Sequence, residues 1–77
     1  MPRQVYPTRL EYFRALFAAA CDGARWELRK GNREAAATFA SRAEDHLLSM
    51  QIHGFEHELF EELDKKLRAL ERDIEQS

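Results

Sequence analysis

Phe60, Leu63, Leu67, Leu70 and Ile74 recur at intervals of three and four residues. On a helix this spacing draws five large apolar groups into one ridge. Glu61 with Lys65, Glu62 with Lys66, and Asp64 with Arg68 stand four residues apart on the flanks, acid before base, the order that supports a helix. No other feature restricts the fold so tightly, because such a ridge must be laid against another apolar face, in the same chain or in a second one. With Phe55 and Leu59 it forms the candidate partner or dimer interface: Phe55, Leu59, Phe60, Leu63, Leu67, Leu70 and Ile74.

Size sharpens the question of what covers it. The chain has 77 residues and a single cysteine, so it forms one domain and no disulfide within itself. A core of this size supplies roughly 3–5 kcal/mol, which makes self-association, most simply a homodimer, the expectation. Charge is unevenly spread behind a net value of −2. Residues 1–33 hold seven Lys/Arg against three acids, and residues 34–77 hold five against eleven. The two halves should attract each other, within a monomer or across a dimer. An acidic carboxyl half makes broad binding to nucleic-acid phosphates unfavourable.

Arg3, Arg9 and Arg14 precede an apolar run, Ala15–Cys21. It is short for a secretory core segment and has charged residues just before it. Nothing approaches the ~20 apolar residues of a membrane span. With one cysteine that has no partner in the chain, the expected compartment is the cytoplasm, without membrane association.

Residues 1–7 read as an N-terminal arm, since Pro2 and Pro7 disfavour regular pairing. Residues 8–77 read as a single helical domain. Thr8 and Glu11 form a capping box that opens a first helix, about 8–30. Its apolar stripe is Leu10, Phe13, Phe17, Ala20, Ala24 and Leu28, with Gly23 placed for close packing. Arg29-Lys30-Gly31-Asn32 ends that helix and begins the next: cations suit a C-terminus, glycine suits the left-handed position, and asparagine caps. A second helix, about 33–52, has a stripe of mostly small residues, Ala36, Phe39, Ala40, Ala43, Leu47 and Met50, that permits close approach to the first. A third, about 55–75, carries the ridge. The fold class is therefore all-α, a small three-helix bundle. In the alternative, helices two and three fuse through Gly54 into one bent arm of ~60 Å.

Ala24, the Gly31-Asn32 turn, and then Ala36, Phe39-Ala40 and Ala43 resemble a single tetratricopeptide-type helical hairpin. In that family small residues let two antiparallel helices pack closely. Trp26 stands one place from the family's first-helix aromatic, and no proline follows helix two. The resemblance implies a helical hairpin with an adaptor or protein-binding role.

Chemistry-bearing residues are sparse. His53-Gly54-Phe55-Glu56-His57 fits the string H-x-x-E-H of inverted zinc proteases, in a chain with no room for such an enzyme. On a continuous helix His53, His57 and Glu61 would share a side, a candidate metal site suited to zinc; otherwise no cofactor is implied. Cys21 lies on the apolar side of helix one as a small hydrophobe. The three glycines are too scattered for a phosphate loop. Arg25, Arg29, Lys30 and Arg33 form a basic patch at the first turn, next to Trp26. The pattern favours a non-enzymatic protein-interaction module, an adaptor or stand-alone inhibitor with an unidentified protein partner. The alternatives are a nucleic-acid-associated regulator using residues 25–33, or a metal-binding helical protein.

Overall fold

The computed structural model describes residues 9–77 except Phe55. The N-terminal arm, Thr8 of the capping box and Phe55 of the candidate interface lie outside the described residues. Three helices follow one another: α1 (Arg9–Arg29), α2 (Arg33–Ile52) and α3 (His57–Glu75). Among the described residues there is no strand. The expected three-helix arrangement is the one observed.

The first turn works as its residues dictate. Gly31 adopts φ +81°, where a Cβ would be strained. The Gly31 N–H donates to the Leu28 carbonyl at 3.0 Å and the Asn32 N–H to the Glu27 carbonyl at 2.9 Å, the two bonds of a Schellman ending. Asn32 Oδ1 then accepts from the Ala35 N–H at 3.3 Å, capping α2. One residue thus closes α1 and opens α2.

The second turn decides between a break and a bent arm. Gly54 takes φ +75°, which no α-helix can pass through, and α2 stops at Ile52. The fused-helix alternative is excluded. Glu56 occupies the N-cap of α3 without a capping side-chain hydrogen bond, so Glu58 in the first turn supports this helix start only through the dipole.

α2 is the middle element. It packs extensively on α1, less on α3, and α1 meets α3 least. The Cα envelope is 37 × 35 × 14 Å, and its short dimension is about that of two packed helices. Ala20 and Ala24 of α1 meet Ala36, Ala40 and Ala43 of α2 in one buried cluster that also holds Phe17, Leu47 and Met50. At the α1–α2 contact Gly23 is as small as it must be: an added Cβ would lie 2.8 Å from the Phe39 ring.

The ridge of α3 belongs to this core. Leu63, Leu67, Leu70 and Ile74 are buried by their own chain, and Leu59 and Phe60 pack half-buried against the cluster. The expectation that these residues form a surface for a partner is corrected here. The alanine-rich faces of α1 and α2 leave room that only larger side chains fill, and the ridge fills it. Full burial of one leucine removes it from water by about 1.5–3 kcal/mol, so the ridge is the bundle's main apolar asset. Among the described residues none that is polar or charged is buried.

Candidate interaction surface

The break at Gly54 disperses the expected metal ligands. His53 follows the last turn of α2 and stacks on Phe13 of α1, with ring centroids 5.4 Å apart at 26°. His57 opens α3, and its Nε2 lies 2.8 Å from Glu61 Oε1. His57 and Glu61 therefore stay together while His53 is committed elsewhere, because the helical register that aligned all three is interrupted. Among the described residues no group of three His, Cys, Asp or Glu is arranged to hold a metal ion.

The basic patch at the first turn is largely spent within the molecule. Arg25 Nη1 meets Asp73 Oδ2 of α3 at 3.3 Å. Arg33 Nη2 donates to the backbone carbonyl of Glu75 at 3.3 Å, placing a cation where the dipole of α3 ends. Lys30 Nζ lies 3.3 Å from Glu27. Arg29 is exposed beside them. The attraction between the basic and acidic halves operates here inside one chain, with the basic turn holding the carboxyl end of α3. Exposed pairs of this kind contribute about 0.2–1 kcal/mol each.

A second charged node lies on the other side of α3. Arg68 reaches Glu44 of α2 at 3.5 Å, Asp64 at 3.2 Å and Glu71 at 2.6 Å. The hydrogen bond from Glu71 is the main cause that pushes the guanidinium pKa still higher.

Between α1 and α3, the least-contacting pair, a groove of about 460 Å³ remains. Its floor is Phe17, Leu63 and Leu70, its sides include Ala18, Cys21 and Ala69, and its rim carries Arg14, Asp22, Arg25 and Lys66. Cys21 is half-buried there, and desolvation pushes its thiol pKa up, against the opposing pull of Arg25. That direction keeps sulfur protonated, the reverse of what activates a nucleophile.

Elsewhere large apolar side chains reach the surface. Trp26 is 59% exposed, Ile52 83% and Leu48 47%. Tyr12, 43% exposed, lies edge-on to Phe13 with centroids 5.5 Å apart. Leu48 and Ile52 lie one turn apart on α2, and Trp26 stands on α1 next to Arg25. Sequence inspection placed the binding surface on α3 and missed the groove. The one available signal was the small residues Ala18 and Ala69, which leave room between two helices.

No helix among the described residues is long and apolar enough to cross a membrane. Comparison of the chain with protein-family models, curated proteins and solved structures finds no match.

Proposed function

We propose that this chain is a non-enzymatic protein-interaction module, an adaptor or stand-alone inhibitor that acts by occupying a partner's surface. The observation that carries this reading is where the apolar side chains lie. The ridge and the alanine faces satisfy each other inside the bundle, yet Trp26 and Ile52 remain 59% and 83% exposed. Tryptophan beside arginine is the composition that concentrates binding energy at protein interfaces. The basic turn supports a nucleic-acid role less well, since Arg25, Lys30 and Arg33 already have partners in the chain. Burial of the ridge also removes the energetic reason for expecting a homodimer.

Crosslinking in the producing cells, with the wild type beside a Trp26→Ala/Ile52→Ala variant, tests the proposal. Both side chains are exposed, so the variant should keep the wild-type melting curve. Its crosslinked partner should be lost, because truncating a hot-spot tryptophan weakens binding about 30-fold or more. An unchanged crosslinking pattern, or none with either protein, would refute the reading.

A further inference from the structure

We propose that the groove between α1 and α3 receives a short acidic segment of another protein, one carrying apolar side chains at its centre. This rests on the interaction-module reading and gives it a place and a partner chemistry. The groove's volume, about 460 Å³, lies within the range of sites that enclose apolar groups, roughly 300–1,000 Å³. Phe17 and Leu70 give it an apolar floor, and Ala18 on one wall opposes Ala69 on the other. Small walls over a large apolar floor leave space for inserted side chains.

Charge selects the occupant. The lining holds three cations, Arg14, Arg25 and Lys66, against one acid, Asp22. Asp73 pairs with Arg25 at 3.3 Å and Glu62 with Lys66 at 4.0 Å, but neither acid lines the groove. The chain as a whole is acidic, at −2, so the groove is a local inversion of the molecule's charge. A basic segment would set like charge against Arg14 and Lys66, and repulsion of that kind excludes wrong partners. A nucleic acid has phosphates for the rim but, in its backbone, nothing for the floor. An acidic segment with central apolar residues satisfies both.

The test is a selection. A displayed library of random peptides of about 12 residues, long enough to run along a helix–helix groove, is panned against the wild type and against an Arg14→Glu/Lys66→Glu variant. Both positions are exposed, and a circular dichroism melt confirms that the variant folds. Arg25 is left in place because it holds α3 through Asp73. The wild type should enrich peptides of net charge about −2 or below around an apolar centre. Their affinity should fall about tenfold or more on the variant, and fall with added salt. Enrichment of neutral or basic peptides would overturn the proposal, as would clones that bind the variant equally well. Clones of that second kind that instead lose binding in the Trp26→Ala/Ile52→Ala protein would sink the groove and leave the module reading intact. No enrichment on the wild type would also overturn the groove, with the module reading then judged on the crosslinking alone.

Discussion

Replacing Gly23 by alanine sets two effects of known size against each other. Alanine is the better helix former by about 0.8–1 kcal/mol, so in a helix with free space the change would stabilise. Here the new methyl would meet Phe39 Cε1 at 2.8 Å and Cδ1 at 2.9 Å, where carbon atoms prefer about 3.5–4.0 Å. The ring cannot simply swing aside. Phe39 is packed against the core cluster, and the Arg42 guanidinium lies 5.6 Å from its ring centroid. Overpacking of this kind costs about 1–3 kcal/mol, so the clash wins and the expected net loss is about 1 kcal/mol. In a domain of this size that lowers Tm by about 4–8 °C. Urea unfolding followed by circular dichroism measures it, in the wild-type background and with Phe39→Leu. The smaller side chain relieves the clash, so Gly23→Ala should become neutral or stabilising there. The coupling between the two sites should be about 1 kcal/mol or more. If Gly23→Ala stabilises by the same amount in both backgrounds, the close contact of α1 with α2 at this point is refuted.

Leu67→Ala should cost about 2.7–5 kcal/mol, a large part of the roughly 4–12 kcal/mol available to a chain of this length, and the melting temperature should not depend on protein concentration; a near-neutral result in urea titration would show that the ridge is not core. Asn32→Ala should cost about 1 kcal/mol through the lost cap, and Gly31→Ala a similar amount at its positive φ, both read by thermal melts. Arg68→Ala should destabilise more than Arg25→Ala, because Arg68 meets three carboxylates and Arg25 one; melts that rank them the other way, or an Arg68 effect that survives high salt unchanged, would contradict this. Cys21 should react slowly with a thiol reagent at neutral pH. Its folded thiol holds its proton more tightly than the ordinary value of 9.0, so its contribution to stability is present below that pH and is lost as pH rises through the folded pKa. Cys21→Ala should remove this part of the alkaline loss, and identical pH profiles for the two proteins would disprove it.

The helices and the first turn were legible in the residues because their causes are local. Glycine at +81° and asparagine as a cap act within a few residues of themselves, and apolar spacing reports helical faces without reference to a partner. The ridge of α3 was legible as something that must be covered. That its cover lies in the same chain depends on the small residues of α1 and α2, some 25–50 positions away along the sequence, and on how deep a trough they leave. The grouping of His53, His57 and Glu61 failed for a related reason: one positive φ at Gly54 changes the direction of everything after it. The groove between α1 and α3 exists because α3 leans mainly on α2, and the pairing of Arg25 with Asp73 joins charges that no short-range rule connects. Sequence alone determined which segments are helical and which faces must be hidden, since backbone conformation and amphipathicity are properties of neighbouring residues. Only the tertiary structure decided which hidden face meets which, and what is left open at the surface, since those depend on the volumes and directions of side chains brought together from distant parts of the chain.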